Sequence, residues 1–203
     1  LISQQLWFGE GVNKNRQAAI QGFQELADWG HVNSAVWVAN QFGFGDEFPK
    51  DFRKAEKYYL VAANSGNIEA QIRLARLYFS DAFGEPDYEG VRKWSAKAAD
   101  QGNSEGQNNL GFLFFSGKGV SQDYSRSFNL FVKSADQGYA VGQRNLGLSY
   151  LNGYGVTKDE EQAAKWLKLA ADQGDDGAIE TLKAKEGSWS FEWKWTFGKE
   201  KNN

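Results

Sequence analysis

His31 is the only imidazole in the chain, and there is no cysteine. With no thiol, no second His and no carboxylate pair near it in sequence, it completes neither a metal set nor a catalytic triad. A structural or solvent-facing place is expected for it. The run Gly117-Lys118-Gly119-Val120-Ser121 is rich in glycine around a lysine, as a phosphate loop is. It lacks the Gly-x-x-x-x-Gly-Lys-Ser/Thr spacing and the strand-to-helix turn that such a loop needs. Asp159, Glu160 and Glu161 stand together at an expected helix start, where the positive end of the helix dipole accounts for three acids without catalysis. These residues suggest no active site, no metal and no cofactor, so the expectation is a chain that is not an enzyme.

What positions these residues is a repeat. Gly30, Gly66, Gly102, Gly138 and Gly174 are 36 residues apart each time. Asn15, Asp51, Asp87, Asp123 and Asp159 keep the same spacing, and each is a short acceptor just before an apolar run, suited to cap a helix start. Ala27, Ala63, Ala99, Ala135 and Ala171 form a column where small side chains let two backbones approach. Val38, Leu74, Leu110, Leu146 and Leu182 form another, with Phe42, Tyr78, Phe114 and Tyr150 one helical turn further along the same face. Each unit therefore reads as two helices joined by a glycine-bearing loop (Gly9/Gly11, Gly117/Gly119, Gly153/Gly155), the second helix ending at a glycine in the left-handed position. Two short helices cannot bury an apolar face alone, so neighbouring units must stack. The fold class expected is all-α, an αα-hairpin solenoid.

A net charge of −3, with no Lys/Arg cluster, argues against nucleic acid as a partner. No run of about 18 apolar residues is present, so no membrane span is expected. The absence of cysteine leaves the redox compartment open. Leu1 aligns with Trp37, part-way along a first helix, and there is no Met, so the natural start is expected upstream.

The expected organisation is a solenoid over 1–186, with a partial unit at 1–30, full units at 31–66, 67–102, 103–138 and 139–174, and a final helix at 175–186. Two loops depart from the glycine pattern, Gly45-Asp46-Glu47-Phe48 and Asp81-Ala82-Phe83-Gly84, and they carry the only prolines, Pro49 and Pro86. They are candidates for a specific contact, set against neutral variation of a surface loop. In 187–203, Trp189, Phe191, Trp193, Trp195 and Phe197 alternate with polar residues, as a single-sided extended segment does. Such a tail either caps the apolar end of the array or docks on a partner or a second copy of the chain.

In its best copy the unit is Gly142, Leu146, Gly147, Tyr150, Gly153, Gly155, Val156, Asp159, Ala163, Trp166, Ala170, Ala171, Gln173 and Gly174. This pattern resembles the Sel1-like repeat, a relative of the tetratricopeptide repeat, over about 1–186, with the aromatic tail outside it. Copies depart from it at Lys54 and Gly90 within second helices, Val91 and Ser127 in the Ala163 column and Leu130 in the Trp166 column. The resemblance implies a right-handed superhelix whose first helices line a concave groove. It also implies a non-catalytic scaffold or adaptor that binds a protein or peptide; the alternative is an immunity or inhibitor protein that blocks a secreted toxic enzyme. Family members are frequently bacterial and exported, which favours a periplasmic or exported place over a cytoplasmic one.

Carrying the tetratricopeptide geometry over by register puts Asn33, Val36, Asn40 and Phe44 in that groove, then Glu69, Ile72, Arg76 and Phe79, then Asn108, Phe112 and Phe115, then Arg144, Leu148 and Asn152. Phe would anchor a bound segment, Asn would bond its backbone, and Arg76 and Arg144 would fork onto its carboxylates. Against this, Phe79 and Phe115 have the spacing of aromatics that pack on a neighbouring unit.

Overall fold

A computed structural model describes residues 2–8 and 15–185. The loop glycines Gly9 and Gly11 and the aromatic tail from Trp189 to Phe197 therefore lie outside the described residues. The described chain is helical, with no strand. Its helices are α1 (Ile2–Phe8), α2 (Arg16–Asp28), α3 (Val32–Gly43), α4 (Phe52–Asn64), α5 (Ile68–Phe79), α6 (Tyr88–Asp100), α7 (Ser104–Ser116), α8 (Tyr124–Asp136), α9 (Ala140–Asn152), α10 (Glu160–Asp172) and α11 (Asp176–Lys185). A single 3-10 turn, Asp81–Phe83, interrupts the loop after α5. None of these helices is long and apolar enough to cross a membrane.

The backbone folds into two compact units, Leu1–Gln122 and Asp123–Asn203. The boundary falls between the two helices of the 103–138 repeat. In the first unit each helix packs on the next, from α1 through α7; in the second, α8 packs on α9, α9 on α10 and α10 on α11.

Each hairpin is closed by local bonds that the sequence pattern anticipates. The side chains of Asn15, Asp51, Asp87, Asp123 and Asp159 accept the backbone N–H of Ala18, Lys54, Gly90, Arg126 and Gln162, satisfying one otherwise orphaned donor at each second helix. At the other end Gly30, Gly66, Gly102, Gly138 and Gly174 all have φ between +82° and +90°. The Gly30 N–H reaches Ala27 O and the His31 N–H reaches Leu26 O, both at 2.9 Å, which is the Schellman pair of bonds.

The residue that completes this stop also begins the next helix. His31, Asn67, Asn103 and Asp175 each turn a side-chain acceptor onto the N–H three residues on, while Tyr139 in the same register makes no such bond. A joint one residue wide explains why the period holds at 36. His31 thus has a structural role: its Nδ1 accepts from the Ser34 N–H at 3.2 Å.

Small residues let the helices close on one another. Ala27, Ala63 and Ala135 are buried, as are Val38, Leu74, Leu146 and Leu182 of the leucine column. Around them the first unit buries Tyr59 and Trp94, and the second buries Phe131 and Leu167.

Candidate functional site

The groove positions expected from the sequence fall on the first helices α3, α5, α7 and α9. In the first unit they do not form one uniform surface. Val36, Ile72 and Asn108, which share a register, are 8%, 7% and 5% exposed and belong to the interior. The expectation that they face a groove is corrected for these three, because their column turns into the helix packing of the unit. Val36 lies in the same buried cluster as Val38, Ala39 and Phe42.

The remaining positions reach the surface, and Asn40, Glu69, Arg76, Arg144 and Asn152 are held by the chain itself. Asn40 Oδ1 accepts from the Tyr59 hydroxyl at 2.5 Å, and its Nδ2 donates to Glu69 Oε1 at 3.5 Å. Glu69 also lies 3.8 Å from Arg73 Nε, and the Arg73 guanidinium stands 5.1 Å above the Phe44 ring. Burial raises the Tyr59 hydroxyl well above the usual phenol range, so this bridge keeps its proton. Arg76 forks onto both oxygens of Glu105 at 2.6 Å. In the second unit, the Arg144 Nη1 donates to both oxygens of Asp175 at 2.9 and 3.0 Å. The two arginines expected to clasp a partner's carboxylates thus already hold carboxylates of the next first helix. Leu148 packs against the buried Leu167 cluster, and Asn152 Nδ2 donates to Leu148 O at 2.9 Å.

Of the rings expected in the groove, two face outward. Phe44 is 49% exposed at the end of α3 and Phe79 is 45% exposed at the end of α5. Phe79 meets the edges of Tyr88 and Phe112 at 6.2 and 5.9 Å, so it is supported from below while its outer side stays open. Phe112 and Phe115 are half-buried, and Asn33 is exposed.

The sequence reading missed Tyr59, Arg73, Glu105 and Asp175, the residues that hold this face in place. Their signal was the spacing of the pairs, 29 residues for Asn40–Glu69 and Arg76–Glu105 and 31 for Arg144–Asp175, one first helix to the next. Also missed were two hollows in the first unit. One, of 380 Å³, is lined by Gln4, Trp7, Phe8, Phe23, His31, Asn33, Ser34 and Trp37. The other, of 660 Å³, is lined by Phe42, Pro49, Lys50, Asp51, Phe52, Arg53, Lys54, Ala82 and Phe83, and it brings together the two proline-bearing loops. Among the described residues no group of three or more His, Cys, Asp and Glu is placed to hold a metal ion.

Comparison with known proteins agrees with the helical repeat. The Sel1 repeat model matches residues 6–28, 34–67, 68–103, 104–139 and 140–175. No curated protein sequence matches the chain. Among solved structures, a Sel1 repeat protein from Oxalobacter formigenes is 24% identical with a TM-score of 0.80, over 94% of this chain and 77% of that one. A protective antigen present in uropathogenic Escherichia coli strains, displaying an SLR fold, is 28% identical with a TM-score of 0.78, over 91% of this chain and 39% of that one. An immunity protein from Pseudomonas aeruginosa is 19% identical with a TM-score of 0.52, over 79% of this chain and 60% of that one. At 24% and 19% identity the first and third show a shared fold alone.

Proposed function

We propose that this chain, which belongs to the Sel1 repeat family, is a non-catalytic scaffold or adaptor that binds a protein partner through the exposed ends of its first helices. Sel1 repeat proteins in general mediate protein–protein interaction, and the αα-hairpin repeat is the fold class of this chain. One observation carries the reading: Phe44 and Phe79 hold large rings outward on rigid helix ends, each beside a guanidinium or an aromatic neighbour that fixes it. An anchor that is already ordered loses little freedom on binding. Covering the open half of each ring contributes about 1 kcal/mol, and the Asn40–Glu69 and Arg76–Glu105 bridges supply a polar border.

The test is affinity purification of the intact chain beside a Phe44→Ser, Phe79→Ser variant, read by mass spectrometry, with circular dichroism to check that both are folded. Proteins recovered with the intact chain and lost from the variant support the face. Recovery of the same set by both would overturn it. A single enzyme recovered in equal amount, and inhibited when bound, would replace the scaffold by the inhibitor reading.

A further inference from the structure

The loops that join first to second helices follow one seating rule. Glu47, Phe83, Gly119 and Gly155 stand in the same register, and each lies beside the first turn of the preceding second helix. Within the second unit, Gly155 sits so close to α8 that a Cβ there would lie 2.1 Å from Tyr124 O. Within the first unit, a Cβ on Gly119 would lie 3.0 Å from Tyr88 O on α6. In both places the seam is closed backbone to backbone. At Glu47 an ion pair with Arg16 of α2 closes it. Only at Phe83 does a bulky apolar side chain occupy the register, and there the hollow of 660 Å³ opens between the loop and α4.

The chemistry of this hollow differs from that of the chain around it. Phe42, Phe52 and Phe83 supply apolar wall, and Lys50, Arg53 and Lys54 bring three cations to it in a chain of net charge −3. The one carboxylate in the lining, Asp51, caps α4 through the Lys54 N–H and lies 3.8 Å from Lys54 Nζ, and Arg53 Nη1 donates to Glu56 of the same helix at 3.1 Å. Arg53 lies 4.2 Å over the Phe83 ring and Lys54 4.9 Å over the Phe42 ring, so two of the cations are held against aromatic faces at the wall. Lys50 has no ion-pair partner among the described residues.

We propose that the Phe83-propped hollow is a recognition site for an acidic peptide segment of a partner protein, in which Asp or Glu flanks an aliphatic or aromatic side chain. The apolar residue fills the space beside the phenyl rings, and its acidic neighbours meet Lys50 and compete with Glu56 for Arg53. The lining sets three cations against one carboxylate, an excess that favours this occupant over a basic one. The proposal rests on the reading that the chain binds proteins, but it uses a different surface from Phe44 and Phe79.

The test is a titration of the full chain, isotopically labelled, with the peptide acetyl-Glu-Leu-Asp-Phe-Glu-amide at low ionic strength, followed by amide chemical shifts. Its uncharged counterpart, acetyl-Gln-Leu-Asn-Phe-Gln-amide, is titrated alongside. The acidic peptide is expected to give saturable shifts in residues 50–54 and 82–84, and to bind about tenfold more weakly to the Lys50→Glu, Arg53→Glu variant. Phe83→Gly, which gives this loop the residue type of Gly119 and Gly155, is expected to lose at least as much. Both charge-reversed residues sit at the surface, so that variant keeps the test open if Phe83→Gly fails to fold. No shift in those residues, equal binding of the uncharged peptide, or unchanged binding by the charge-reversed variant would overturn the proposal. The Phe44→Ser, Phe79→Ser variant should bind the acidic peptide normally, which separates failure of this site from failure of the first-helix face.

Discussion

A Cβ at Gly155 would meet Tyr124 O at 2.1 Å, whereas one at Gly174 would meet nothing within 4 Å, yet both glycines have positive φ, +72° and +85°. The two positions, in the same compact unit, therefore separate two reasons for a glycine. Gly174→Ala should cost only the left-handed conformation of an L-residue, roughly 1–2 kcal/mol. Gly155→Ala adds backbone overlap that no side-chain movement relieves, and should cost about 3 kcal/mol or more. Urea unfolding followed by circular dichroism compares them directly. Equal losses would mean that the loop lifts away from α8 freely, and that the close seam contributes little.

At the scale of the elements, the joints do two tasks with one residue. Asp175 accepts the Ala178 N–H as the cap of α11 and also takes both hydrogen bonds from Arg144 on α9. Asp175→Asn keeps a capping oxygen and removes the charge, while Asp175→Ala removes both and leaves Arg144 without its carboxylate. The alanine variant should be the less stable by about 1 kcal/mol, the typical value of a cap, as read from thermal melts of the two variants. Equal melts would show that the ion pair, and not the cap, is what Asp175 supplies. The same joint explains which elements were legible in the sequence. The second-helix caps meet a local need with Asp or its near-isostere Asn at every copy, and the helix stops with Gly at every copy, so a 36-residue spacing reveals them. The first-helix caps meet the same need with His31, Asn67, Asn103 and Asp175, and a changing residue type hides the column. The candidate face was less legible because register alone does not say which side of a helix a neighbour covers. Asn33, Phe44 and Phe79 come to the surface, but Val36 and Ile72 go inside. Arg76 and Arg144 meet acids one repeat away, a pairing visible only once first helices stand side by side. The hollow at Phe83 depends on what stands across the seam in the preceding repeat, so the deviant loops could be singled out but not what they build.

At the scale of the whole molecule, three groups whose proton affinity the fold raises stand in one compact unit. Tyr59 and Tyr78 are both held well above the usual phenol range, first by burial, and Tyr78 further by donating its hydroxyl hydrogen bond to Glu56 at 2.6 Å. Lys57 is raised chiefly by its hydrogen bond to Asp28. All three lie in the unit Leu1–Gln122. A group whose folded pKa exceeds its unfolded value stabilises the fold fully below the unfolded value and loses that contribution as pH rises through the folded one. For phenols the unfolded value is about 10, so this unit should keep its stability to about that pH and lose it beyond. The loss comes because the unfolded chain then releases protons that the folded chain retains. Proteolysis by an alkaline-active enzyme, mapped by mass spectrometry at about pH 8 and about pH 11, should show new cleavage within 15–122 before any within 123–185. A Tyr59→Phe, Tyr78→Phe variant gives up the two hydroxyl bonds and should be less stable at the lower pH by about 1 kcal/mol for each. Having no phenol to ionise at these two places, it should lose less than the intact chain on going to the higher pH. If intact chain and variant lose equally, the alkaline sensitivity comes from other groups; if the second unit opens first, the protons retained by Tyr59, Tyr78 and Lys57 are not what limits the molecule at high pH.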